Sequence, residues 1–160
     1  MVGFAQFEGV AENRQCALFA TPRYGEPCIP AMSDINAAFE AWLDATTPVD
    51  PPAGEEESAL RYRGYGNATA ALERESDYLV LCRIETDREH RGQGFGTALL
   101  DLLKEICERY DVTLLGQATA YDGEGLDQRS LLDWYARHGF EIDRGRTAQP
   151  LVWYPRRPGG

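Results

Sequence analysis

Apolar and polar positions along this chain change period several times, and each change marks an element. Ile35, Phe39, Trp42 and Leu43 recur at helical spacing behind Ser33, a residue suited to an N-cap. That pattern predicts an amphipathic helix from Asp34 to about Thr46, stopped by Pro48 and Pro51. Upstream, Gly3 to Phe7 and Gln15 to Ala20 are short β-favouring pieces that suit a hairpin. Val49 to Ser58, with its prolines and the run Glu55-Glu56-Glu57, has no apolar period and reads as an exposed loop. Ala59 to Tyr65, Ala68 to Arg74 and Tyr78 to Thr86 then predict an antiparallel meander. Leu99, Leu103, Ile106, Cys107 and Tyr110 line one face of a helix running from Gly94 to about Tyr110. Val112 to Ala118 follows as a strand, and parallel pairing with residues 78–86 makes one βαβ unit. Gly139 to Ile142 and Leu151 to Tyr154 supply closing strands.

Composition narrows the class. A chain of 160 residues, 43% hydrophobic and 26% charged, suits one globular core, so a single domain over residues 1–160 is expected. No apolar stretch has the length to cross a bilayer, and residues 1–8 lack the order of a signal peptide, so a cytoplasmic protein with no membrane partner is expected. The formal charge of −10 repels phosphate backbones, which disfavours nucleic acid and favours amines and lysine-rich segments. Cys16, Cys28, Cys82 and Cys107 form no Cys-x-x-Cys pair and read as reduced, mostly buried thiols. His90 and His138 have no second ligand at metal spacing, so no metal is implied.

The chemistry concentrates in His90-Arg91-Gly92-Gln93-Gly94-Phe95-Gly96-Thr97, set between the strand ending at Thr86 and the following helix. Glycines at 92, 94 and 96 let successive backbone N–H groups converge on an anion, and a helix start adds its own unpaired N–H groups. A P-loop would need a lysine after the last glycine, but Thr97 and Ala98 stand there. A dinucleotide fingerprint would need glycine three residues after Gly94, and position 97 is threonine. The remaining pattern, Arg-x-x-Gly-x-Gly from Arg91 to Gly96, resembles motif A of the GCN5-related N-acetyltransferases, the GNAT family. Leu131 to Phe140, with Trp134-Tyr135 and Gly139-Phe140, is similar to that family's second signature.

The resemblance implies an α/β fold: a mixed, twisted, mostly antiparallel sheet with two splayed central parallel strands and flanking helices. It also implies an acetyl-CoA-dependent N-acetyltransferase whose cofactor lies in the splay. Residues 1–76 would then build the acceptor site, 77–142 the cofactor motifs and 143–160 a closing strand. Ile84, Glu85 and Thr86 match the strand end that pairs with the pantetheine arm, and Arg91, Gly92, Gln93, Gly94, Phe95, Gly96 and Thr97 match the turn around the diphosphate. The edge from Cys82 to Ile84 would offer an N–H to the thioester oxygen. Gln128 stands where the family often has asparagine and would touch the cofactor. The proline that often precedes the arginine-glycine turn is replaced by Arg88-Glu89-His90.

Tyr135 matches the family's proton donor to the departing thiolate, with a core aromatic as the plain alternative. Glu85, if buried, would serve as general base, in competition with Asp77, Asp87 and Glu89 or with water alone. The acceptor is expected to be an amine-bearing small molecule or a protein lysine or N-terminus. Two other readings stay open: an acyl-CoA-binding module without turnover, and an enzyme acting on aminoacyl-tRNA through a basic patch of Arg61, Arg63, Arg156 and Arg157. Members of the family often dimerise through their last strands, and Leu151 to Tyr154 is apolar enough for a homodimer or for a strand inside the monomer.

Overall fold

In the computed structural model, which describes residues 34–50, 61–120 and 125–156, the stripe around Trp42 forms helix α1, Ile35–Ala45. Its N-cap is Asp34, not Ser33: the Asp34 carboxylate accepts from Ala37 N–H at 3.0 Å. Ile35, Ala38 and Trp42 turn inward. The helix lacks a basic residue in its last turn, and Arg63 supplies the charge from outside by donating to the carbonyls of Leu43 and Thr46 and to Thr46 Oγ1.

The strands that follow are β1 (Thr47–Pro48), β2 (Arg61–Tyr65), β3 (Ala68–Arg74) and β4 (Tyr78–Thr86). Beyond a single 3-10 turn at Arg88–His90 come α2 (Phe95–Arg109), β5 (Thr113–Gln117), α3 (Gln128–Arg137), β6 (Glu141–Ile142) and β7 (Pro150–Trp153). Among the described residues these strands make one seven-stranded sheet in the order β1-β2-β3-β4-β5-β7-β6. Only β4 and β5 are parallel; every other neighbouring pair is antiparallel. The expected meander and βαβ unit are both present. The two-residue β1 was not expected, and the hairpin of the first thirty residues and most of the loop after Val49 lie outside the described residues.

Leu99, Leu100, Leu103, Ile106 and Cys107 of α2 are buried against Leu72, Leu79, Leu81 and Leu114 of the sheet and Trp42 of α1. Each such side chain contributes about 1.5–3 kcal/mol relative to exposure. At the C-terminus of α2, Asp111 takes a left-handed φ of 52° and Val112 N–H reaches back to the Cys107 carbonyl at 2.9 Å. Strand β7 is paired on both sides, by β5 and β6, which accounts for its apolar composition within one chain.

Candidate active site

The parallel pair that defines the site is short. Tyr78 to Leu81 run beside Thr113 to Gly116, and there the pairing stops. Gly116 permits close approach at the last rung, where a Cβ would stand 3.3 Å from the Leu81 carbonyl oxygen. Directly after that rung β4 carries a bulge: Leu72 of β3 faces Leu81 and Ala71 faces Arg83, so Cys82 has no partner. A bulge bends its strand and raises its twist. Beyond Leu81, β4 keeps β3 but runs without β5, while β5 stays paired with β7 through Gln117 and Pro150. Arg83 to Thr86 thus present a backbone edge with no strand beside it among the described residues.

That edge leads into the glycine turn. Asp87 N–H is anchored on the Asn67 carbonyl at 3.0 Å, and Arg91 Nε donates to the Thr86 carbonyl at 3.3 Å. Gly92 and Gly94 have φ of 76° and 86°, and a Cβ on either would meet nothing within 4 Å. Glycine is needed there for backbone conformation, and the space beside it is open. Gly94 is the N-cap of α2 and offers no side-chain hydrogen bond, so the N–H groups of Phe95, Gly96 and Thr97 lack a partner among the described residues. The first turn of α2 holds no acidic residue, and Arg91 stands beside it. An open cradle of N–H groups at the positive end of a 15-residue helix fits a diphosphate. Gly96 lies against β4, its would-be Cβ 3.1 Å from Thr86 Oγ1.

The second signature is a helix with both ends closed. Asp127 caps α3 by accepting from Ser130 N–H at 2.9 Å and Ser130 Oγ at 3.0 Å, which holds its carboxyl below the usual carboxylate range. At the other end Gly139, φ 85°, donates to Ala136 and Phe140 N–H donates to Tyr135 O, the two bonds of a Schellman cap. Phe140 then packs edge-on against the Tyr135 ring, centroids 5.2 Å apart, and Trp134 packs on it from the neighbouring position at 4.9 Å. Tyr135 is 5% exposed and part of the core. The Trp134 indole N–H points to Thr97 Oγ1 at 3.4 Å, which joins this helix to the first turn of α2.

Other expected site residues have different surroundings. Glu85 is not buried: its side chain is 41% exposed and held by Arg83, two residues back on the same strand, at 2.9 Å. A carboxylate so placed lacks the burial that a tuned base was expected to have. Asp77, Asp87 and Glu89 are exposed. Gln128 directs its amide to the backbone, accepting from Ala120 N–H at 2.8 Å and donating to the Ala118 carbonyl at 2.9 Å and to Gln149 Oε1. Burial, and then Glu73, push the Cys82 thiol up to about 12. Arg63 belongs to the cap of α1 on one side of the sheet and Arg156 follows β7 on the other, so these two do not form a patch. A polar surface groove of about 450 Å³, lined by Lys104, Glu108, His138 and Arg156 among others, lies at the opposite end of α2 from the glycine turn. The side chains of Arg83 and Gln149 were not foreseen as parts of the site, nor was the contact of Thr97 with Trp134.

A family model for the GNAT acetyltransferase domain matches residues 56–142, more than half of the chain. An uncharacterized N-acetyltransferase of Halalkalibacterium halodurans is 34% identical over 99 residues, an alignment covering 59% of this chain and 51% of that protein. The chain thus spans about half the length of that curated relative. Among solved structures, the ribosomal-protein-S18-alanine N-acetyltransferase of Escherichia coli aligns with a TM-score of 0.49 at 20% identity, over 79% of this chain and 90% of that one. The anti-CRISPR protein AcrVA5 aligns with a TM-score of 0.49 at 20% identity, over 56% and 93%.

Proposed function

This chain belongs to the GNAT acetyltransferase family, and we propose that it transfers an acetyl group from acetyl-CoA to a primary amine by direct attack in a ternary complex. The observation that carries this reading is the unpaired edge of β4 running into the uncapped start of α2. The backbone of Ile84, Glu85 and Thr86 would receive the pantetheine arm as a further strand, and residues Arg91 to Thr97 would hold the diphosphate. Acetyl-CoA supplies an acyl carbon already activated as a thioester.

The amine nitrogen bonds to that carbon, the carbon–sulfur bond breaks, and the nitrogen's proton leaves to water. A backbone N–H between Cys82 and Ile84 would donate to the oxygen as it gains charge. Tyr135 gives a proton to the departing sulfur. The Arg83–Glu85 ion pair favours water over Glu85 as the base, and orientation of the two reactants supplies much of the rate. The Cys82 thiol, pushed up to about 12, stays protonated at neutral pH, which argues against an acetylated cysteine and for direct transfer. A chain of formal charge −10 suits a cationic acceptor, either a small amine or a protein lysine or N-terminus.

Calorimetric titration with acetyl-CoA, beside ATP and NAD, tests the cofactor. Stoichiometric binding of acetyl-CoA alone is expected, and its absence would overturn the proposal. Tyr135→Phe keeps the ring packing on Phe140, so unchanged binding with turnover reduced about hundredfold is expected. A wild-type chain that binds acetyl-CoA but acetylates no amine would instead be a binding module.

A further inference from the structure

Among the described residues only two that are not glycine have a positive φ, Asp111 and Gln149. Asp111 is explained by the end of α2. Gln149, φ 44°, lies between β6 and β7 and directly precedes Pro150, a neighbour that itself restricts the backbone before it. An unbranched residue persists in that region only when its surroundings hold it there, and such positions collect at functional sites. Glycine would take the same φ without strain, so what the strain holds in place is the glutamine side chain.

That side chain has a specific partner. Gln149 Oε1 accepts from Gln128 Nε2, while Gln128 also bonds Ala118 O and Ala120 N–H, and Gln149 N–H donates to the Arg146 carbonyl at 2.9 Å. One amide thereby joins the exit of β5, the first residue of α3 and the loop between β6 and β7. The junction stands at the end of β5, where Gln117 pairs with Pro150, one residue past the last rung that β5 shares with β4. It is therefore on the β5 wall of the splay, across from the free edge of β4. The helix that begins there carries Tyr135.

We propose that Gln149 is a positioning residue: through Gln128 it fixes the β5 wall and the start of α3, and so sets where an acceptor amine stands relative to the thioester and Tyr135. The inference rests on the acetyltransferase reading above. It assigns Gln149 to the acceptor side of the reaction and leaves cofactor affinity to the turn around Gly94.

Gln149→Gly separates this from a structural role, because it keeps the φ and deletes the side chain with its amide, and Gln149→Glu restores an oxygen at the same reach. Each is measured for thermal midpoint, acetyl-CoA binding by calorimetry, and CoA thiol release with spermidine, a lysine peptide and a peptide with a free N-terminus. Gln149→Gly should melt no lower than wild type and bind acetyl-CoA equally well. Its kcat/KM for the amine should fall about tenfold, chiefly through the amine KM, with Gln149→Glu recovering most of the loss. A lowered midpoint with unchanged kcat/KM would overturn the inference and leave Gln149 a stability residue. Wild-type protein that binds no acetyl-CoA, or releases no thiol with any of the three amines, would overturn the acetyltransferase reading, and this inference with it.

Discussion

Helices α1 and α3 each begin with an aspartate whose side chain accepts a backbone N–H one turn inside, at 3.0 and 2.9 Å, whereas α2 begins with a glycine that has no side chain to accept one. The unmet N–H groups are the same kind in all three. The difference is that α2 has five buried side chains along its length to hold it, so its first turn need not stabilise the helix and stays open for the ligand we propose. The two capped helices answer to the fold, and under the proposed function the open one answers to an anion.

Gly94→Asp would erase the contrast most sharply. A carboxylate at the start of α2 competes for the N–H groups and repels a phosphate, so acetyl-CoA affinity measured by calorimetry should fall by about 3 kcal/mol, roughly hundredfold. Affinity within a few-fold of wild type would mean that the turn does not hold the diphosphate. Asp34→Ala probes the other side of the comparison. It should cost about 1 kcal/mol, or about 2–4 °C in thermal midpoint, and leave acetyl-CoA binding untouched.

The smallest effect concerns the far end of α3. His138 is held below its ordinary value by burial, then by Lys104 and Arg137, with Asp101 opposing them. The unfolded chain therefore takes up this proton first, and the stability contribution present above about pH 6.5 is lost as pH falls through the folded value. Midpoints measured from about pH 7.5 down to about pH 5.5 should decline less in His138→Gln than in wild type. Equal slopes would remove His138 as a source of that decline.

Much of this contrast is written in local sequence. Gly92-Gln93-Gly94 announces a turn with positive φ, and Gly139-Phe140 after an apolar helix announces a Schellman cap, because both depend on a few adjacent residues. The faces of α2 follow from periodicity alone. What stayed hidden depends on contacts between distant segments: Arg63 reaching α1, Gln128 meeting Gln149, and β7 inserting between β5 and β6. The Arg83–Glu85 pair was hidden for a different reason. Strict alternation from Leu79 and Leu81 would put Arg83 and Glu85 on the core face, and only the extra residue at Cys82 turns Ile84 inward in their place. The skip from Leu81 to Ile84 was the available signal.

The unpaired Cys82 also limits how this strand can vary in length. Losing Cys82 would close the ladder into strict alternation: the arginine would follow Leu81 on the outer face and the isoleucine would stay inward, as they now stand, and only the bulge would be gone. The same loss would remove the bend that parts the two parallel strands. In this stretch deletion is therefore a harsher change than substitution, and descendants of the chain can alter what Cys82 is far more freely than whether a residue stands there.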